Sequence, residues 1–255
     1  MKIKDNLLLL SAAAIPAILI PLFLFAKRAP LTPAILSPFL PIFISARLIK
    51  VIQKNTLEYL NGPKRFCKGK GIEIGSGAQP MIGTALSVDI VDDFSDKKHY
   101  KVDYAADAHD LPEIEDRSLD YVCAGNVLEH LTNPIKAILE WMRVIKPKGI
   151  IWLKIPDKRK TFDRSRERTK LSHLIEDFKA GAPVDDPTHI DDHNKNSSPP
   201  RVESHPYVHN HVWIPDDIVE LFNHIQKNHA RCKIIRHSEN TRKHAQDFWI
   251  VVQVI

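Results

Sequence analysis

Six residues, Ile150-Ile151-Trp152-Leu153-Lys154-Ile155, constrain this chain more than any other stretch. A nearly continuous apolar run suits a strand buried on both faces, and such strands belong to parallel sheets covered by helices. Parallel strands need crossover connections, since a tight hairpin cannot join them. The flanking sequence supplies these. Strand signals at Gly71–Ile74, Ala85–Val91, Lys101–Ala106 and Leu119–Ala124 precede the run. Pro134–Ile145 predicts a helix, with Ile135, Ile138, Leu139, Met142 and Ile145 on one face. Another helix is expected to start at Val127–Leu131, and Lys146-Pro147-Lys148-Gly149 is expected to end the longer one before the apolar strand begins. Val51–Leu60 reads as a short amphipathic helix closed by Asn61-Gly62-Pro63. Farther on, Asp216–Gln226 reads as a helix entered through Pro215, and Lys233–Arg236 and Phe248–Val254 as closing strands. The order predicts a doubly wound α/β sheet, mostly parallel, with a closing antiparallel strand.

Two segments fall outside this alternation. In residues 1–50, Leu7–Ala26 is a run of 20 residues without a charge. As a helix it spans roughly 30 Å, the thickness of a bilayer core. Lys2 and Lys4 precede it and Lys27 and Arg28 follow. A second uncharged stretch, Ala29–Ala46, contains Pro30, Pro33, Pro38 and Pro41, which disfavour a straight helix. These residues are expected to anchor the chain in a membrane, as one span or as a hairpin, with the domain of residues 51–255 facing the cytoplasm. A cleaved signal peptide fits less well, because the run is long for a signal core. The other segment is a polar insertion, residues 156–212, within which Leu171–Phe178 reads as helix and Asp185–Pro200 as loop.

Charge separates the two parts. The chain of 255 residues carries a formal +5, all of it in residues 1–50; residues 51–255 hold 30 basic and 30 acidic groups. A nucleic-acid enzyme shows its basic footprint on the folded domain, so no nucleic-acid partner is expected. Cys67, Cys123 and Cys232 have neither the spacing of a zinc site nor the count of a disulfide framework, and are expected to be buried free thiols.

The polar residues that carry chemistry fall at strand ends. Glu73-Ile74-Gly75-Ser76-Gly77 ends the first strand, and its glycines permit turns of positive φ and close approach of backbone to a ligand. Asp89 ends the second, where a carboxylate can accept from ribose hydroxyls. Asp107-Ala108 follows the third, and Asn126-Val127-Leu128-Glu129-His130-Leu131 the fourth. Open α/β sheets bind ligands at the carboxyl ends of their strands.

Gly71-Ile72-Glu73-Ile74-Gly75-Ser76-Gly77, Asp107-Ala108-His109-Asp110-Leu111-Pro112, Asn126 to Leu131 and Val144-Ile145-Lys146-Pro147-Lys148-Gly149 resemble the motifs of class I S-adenosylmethionine-dependent methyltransferases of type 11. The likeness covers residues 66–156 and implies a Rossmann-like fold with S-adenosylmethionine as cofactor. It also implies that Glu73, Gly75, Ser76 and Gly77 meet the methionine part, Asp89 the ribose, Asp107 and Ala108 the adenine edge, and Asn126 the pocket floor. Gln79 departs from the family's glycine pattern, and only 14 positions separate Gly75 from Asp89, so a short, irregular first crossover is expected. That disfavours a dinucleotide, whose pyrophosphate needs a helix N-terminus.

A hydroxyl acceptor also needs a base. His209 and His211, two apart, would share a face of an extended strand and are the catalytic candidates. His189, Asp192 and His193 are weaker candidates as metal ligands. His130 reads as structural, and Trp213 as packing the insertion onto the core. The basic run Lys158–Arg168 reads as a solvated face, or alternatively as a site for an anionic acceptor. Together these readings predict an O-methyltransferase acting on a sugar or lipid-linked polysaccharide precursor at the cytoplasmic membrane face. A quinone or lipid methyltransferase, and a catalytically silent scaffold that binds the donor, are the alternatives.

Overall fold

The computed structural model describes residues 62–77, 80–90, 102–181, 189, 208–238 and 246–255. The chain divides into two units, Met1–Glu58 and Tyr59–Ile255, and every described residue falls in the second. The expected anchor and the helix Val51–Leu60 therefore lie outside the described residues. Among the described residues, no helix is long and apolar enough to cross a membrane.

Seven strands form one sheet: β1 (Gly71–Ile74), β2 (Leu86–Asp89), β3 (Tyr104–Ala105), β4 (Leu119–Gly125), β5 (Ile145–Pro156), β6 (Cys232–His237) and β7 (Asp247–Val254). Their order is β3-β2-β1-β4-β5-β7-β6. Neighbours from β3 to β5 are parallel, and β7 runs antiparallel to both β5 and β6. The sheet is therefore mostly parallel with one antiparallel strand, as the sequence predicts. The order reverses between β1 and β4, which makes their carboxyl ends the crevice where such sheets take ligands.

Strand β5 shows why its residues read as a continuous apolar run. Ile151, Leu153 and Ile155 face the larger core, whereas Trp152 faces a second, smaller one with Tyr121, Cys123 and Val251. Side chains alternate faces along a strand, so a strand covered on both sides needs apolar residues at every position. Among the described residues, the helices longer than one turn all serve the larger core: α2 (Pro134–Val144), α3 (Leu171–Ala180) and α4 (Pro215–Asn228). The smaller face is met by α1 (Pro63–Phe66) through Phe66 and Cys67, and by Met81 and Ile82 from the turns before β2. The first crossover shows no helix among its described residues, in line with its shortness. All three cysteines are buried free thiols.

Helix α2 is fixed at both ends. The Asn133 side chain caps it by accepting from the Lys136 amide at 3.0 Å, with Pro134 as its first residue. Inside, Trp141 is fully buried and its indole N–H donates to the Ala108 carbonyl at 2.9 Å, tying the helix to the loop after β3. The expected break at Lys146–Gly149 takes another form. The helix ends at Val144 and β5 begins at Ile145 without a loop. Pairing with β4 then jumps from Leu119–Ile145 to Tyr121–Ile150, so Lys146–Gly149 bulge out, with Lys148 at φ 71°.

Candidate active site

The crevice is built from loop ends. Gly75 adopts φ 63°, and a side-chain carbon there would meet Val127 Cγ2 at 2.4 Å, so only glycine fits. Gly77, at φ 55°, has open space where a side chain would project. Its amide donates to Asp89 Oδ2 at 3.1 Å, while the Ile90 amide donates to Asp89 Oδ1 at 2.9 Å. These two bonds fix the Asp89 carboxylate beside the glycine turn. The Ser76 hydroxyl is buried without a hydrogen-bond partner, a polar group of the kind a ligand satisfies.

Glu73 is 2% exposed, and its oxygens accept from the amides of Met81 and Ile82, both at 2.8 Å. Burial raises its pKa above the ordinary value, outweighing those two bonds. The structure thus places Glu73 as a brace beneath the turn that follows the glycines. Gln79 lies outside the described residues.

On the far side of the crevice, Asp107 is held by His109, whose Nδ1 lies 2.6 Å and backbone N–H 2.7 Å from Oδ1. Burial pushes the Asp107 carboxyl up, but the His109 bonds outweigh it and hold it below its usual value. The Asn133 amide donates to His109 Nε2 at 3.2 Å, which assigns the ring proton to Nδ1. Ala108 is pinned through its carbonyl to Trp141. Asn126 sits just past β4 at φ 57°, with its amide on the Lys154 carbonyl at 2.8 Å and its side chain 3.5 Å from Asp247.

Three residues beyond Asn126 a second centre begins. Glu129 is buried, and neither carboxylate oxygen has a hydrogen-bond partner. Burial is the main cause of its pKa rising to about 8. Donor atoms of Glu129, His130 and His209 lie within 4.8 Å of one another. His209 Nδ1 is 2.6 Å from Oδ2 of Asp163. Burial acts to raise the Asp163 pKa, but bonds to His209 and Arg166 outweigh it and keep it low. An ionised carboxylate only accepts, so the His209 proton sits on Nδ1 and Nε2 remains as the ring's basic nitrogen. Buried Arg166 completes the clamp, donating to Asp163 Oδ1 at 3.0 Å and to the His209 carbonyl at 2.7 Å. Phe162, 72% exposed, stacks on the His209 ring at 4.9 Å.

His209 and His211 do not share one face. The backbone bends at Val208 and Asn210, which breaks the period of an extended strand. His211 turns instead into a fully buried position, stacked on Trp213 at 5.4 Å and edge-on to His189 at 4.8 Å. Burial, with His189 and His173 next, pushes its pKa well below the ordinary value, so the ring is neutral. Donor atoms of His173, Asp177, His189 and His211 form one group within 4.8 Å. Asp192 and His193 lie outside the described residues.

His130 Nδ1 donates to the Val208 carbonyl at 3.0 Å, and Trp213 is buried in the larger core as expected. The basic run is divided: Arg159, Arg164 and Arg168 lie on a solvated face, while Lys158 and Arg166 are buried. Lys158 Nζ reaches the Arg164 carbonyl, Arg159 pairs with Asp157, Arg166 with Asp163 and Arg168 with Asp217. Sequence reasoning passed over Glu129, Asp163, His173 and Asp177 as site residues. The His173–Asp177 spacing of one helical turn was the available signal, because i and i+4 share a helix face.

Residues 52–153 match the family model described as a methyltransferase domain. Over 133 residues the chain is 32% identical to an uncharacterized protein of Methanocaldococcus jannaschii, covering 48% of this chain and 62% of that one, less than two thirds of its length. A solved S-adenosylmethionine-dependent methyltransferase of Thermotoga maritima, described as a possible histamine N-methyltransferase, aligns with 14% identity and a TM-score of 0.42, over 80% of this chain and 96% of that one. A Pyrococcus horikoshii protein aligns with 19% identity and a TM-score of 0.44, over 82% and 90%. Residues 52–153 are therefore similar to a methyltransferase domain, and that similarity supports S-adenosylmethionine as the methyl donor.

Proposed function

We propose that this domain methylates a hydroxyl of a sugar or lipid-linked polysaccharide precursor, with residues 1–50 holding it at the cytoplasmic face of a membrane. One observation carries the chemistry: the Asp163–His209 pair stands beside Glu129 and His130, a few residues past the crevice floor at Asn126. When bound, S-adenosylmethionine supplies an electrophilic methyl on a sulfonium, transferred in line to an acceptor. Gly75, Ser76 and Gly77 would approach its methionine part over the Glu73 brace. Asp89 would accept from the ribose, Asp107 and Ala108 would flank the adenine, and Asn126 would close the floor.

A hydroxyl sheds its proton as it is methylated, and His209 Nε2 is the group poised to take it. Asp163 fixes the tautomer and stabilises the imidazolium that results. The exposed Phe162 ring offers a flat apolar surface for the C–H face of a sugar. The base favours O-methylation over methylation of an activated quinone carbon, which would use an apolar pocket open to the bilayer. The anchor rests on the uncharged run Leu7–Ala26 and its basic flanks.

The test is methyl transfer by the full-length chain in detergent, with methyl-labelled S-adenosylmethionine offered alongside lipid-linked sugars and quinone head groups. Label in the sugar-bearing product is expected, and label in the quinone would replace this reading. Donor binding without transfer to any acceptor would leave the scaffold.

A further inference from the structure

Four donors converge away from the crevice. His173 and Asp177 lie one turn apart on α3, His189 comes from the insertion, and His211 from the segment that leads into Trp213. His173 Nε2 lies 3.3 Å from His189 Nε2 and 3.3 Å from Asp177 Oδ2, and His189 Nε2 lies 3.4 Å from that same oxygen. These are the edges of a tetrahedron. Ligand bonds of about 2.0–2.1 Å at tetrahedral angles place neighbouring donors roughly 3.3–3.4 Å apart. His211 is the fourth donor, with Nε2 4.0 Å from Asp177 Oδ2 and all four donor atoms within 4.8 Å of one another.

Hydrogen bonding alone does not account for the cluster. His211 is fully buried, and neither of its ring nitrogens makes a hydrogen bond. The Thr132 carbonyl favours the protonated ring without closing a bond of normal geometry. His189 Nδ1 is likewise buried without a partner. Two rings whose Nε2 atoms both face one carboxylate oxygen at 3.3–3.4 Å, and lie 3.3 Å from each other, would crowd their N–H groups together if both donated to it. A cation removes that conflict by taking all three Nε2 lone pairs and leaving each proton on Nδ1.

We propose that His173, Asp177, His189 and His211 form a closed Zn2+ site that fastens the insertion to the core. Three imidazoles and one carboxylate at tetrahedral spacing suit zinc. Four protein ligands leave no position for water, so the ion is structural. It joins α3, His189 and the segment Val208–Trp213, and that segment presents His209 to the other centre. The site stands independently of the acceptor assigned above.

The test uses full-length protein without a histidine tag, produced with added zinc and dialysed against a weak chelator. Elemental analysis is expected to find about one zinc per chain, and Co2+ exchanged into the site is expected to give the visible absorption of a tetrahedral complex. His173→Ala removes the most exposed ligand with little loss of packing, and His211→Gln removes a buried one. Each is expected to lower retained zinc at least about fivefold and to abolish the Co2+ bands, whereas His209→Ala keeps both. A folded wild-type chain without zinc or Co2+ bands would overturn the site. So would zinc unchanged in His173→Ala, or zinc lost in His209→Ala alone.

Discussion

Asp163 and His209 meet at 2.6 Å across 46 residues of chain, inside a segment whose sequence shows no repeating pattern. The contact joins the first turns of the insertion to its last, and Arg166 closes it from behind. Replacing Asp163 with Asn removes the charge that holds the ring proton on Nδ1. Turnover on a hydroxyl acceptor is expected to fall by roughly 10²–10⁴ while the donor's dissociation constant stays within about twofold. Steady-state kinetics beside donor titration separates the two, and unchanged turnover would remove His209 as the base.

Asp89, at the end of β2, is the proposed ribose contact. In calorimetric titration, Asp89→Ala is expected to weaken S-adenosylmethionine binding at least tenfold, about 1.4 kcal/mol. Equal affinity for wild type and variant would place the ribose elsewhere.

Glu129 makes stability depend on pH. Its folded pKa of about 8 stands above the ordinary 4.5, so the folded chain holds a proton that the unfolded chain releases. That contribution is complete below about 4.5 and is lost as pH rises through about 8. Glu129→Gln carries no such proton. Its unfolding free energy is expected to match wild type near pH 5 and to exceed it above pH 8 by an amount on the order of a few kcal/mol. Melts that stay parallel across this range would mean that Glu129 ionises without penalty.

Trp141→Phe retains a large ring but takes away the donor to the Ala108 carbonyl, leaving a buried acceptor unmatched. A loss of about 1–3 kcal/mol in urea unfolding is expected. Donor affinity should fall with it, because the same carbonyl fixes the loop behind Asp107. Stability lost with affinity intact would separate that loop from the adenine edge.

The parallel sheet was legible in the sequence because burial on both faces forces a composition: Ile150–Ile155 is apolar at every position but Lys154. The strand ends that carry the proposed donor residues were legible because the strands can be counted. Local geometry escaped. The reading that Lys146–Gly149 simply ends a helix missed that a strand can begin at Ile145 and expel four residues as a bulge. His209 and His211 look like partners at a spacing of two, but two backbone bends send them to different centres. Asp163 and Glu129 gave no sign, since their roles depend on contacts dozens of residues away, which no local pattern records.

Among the described residues, strand β6 has one neighbour in the sheet, β7, and that neighbour follows it in the chain. During synthesis β6 therefore leaves the ribosome with neither edge paired, while β5 waits with its outer edge open. The arrival of β7 satisfies both at once, so the last third of the sheet closes in a single cooperative event. Until then two strand edges are exposed together, and it is in that interval that a chaperone, or a second nascent chain, would find something to hold.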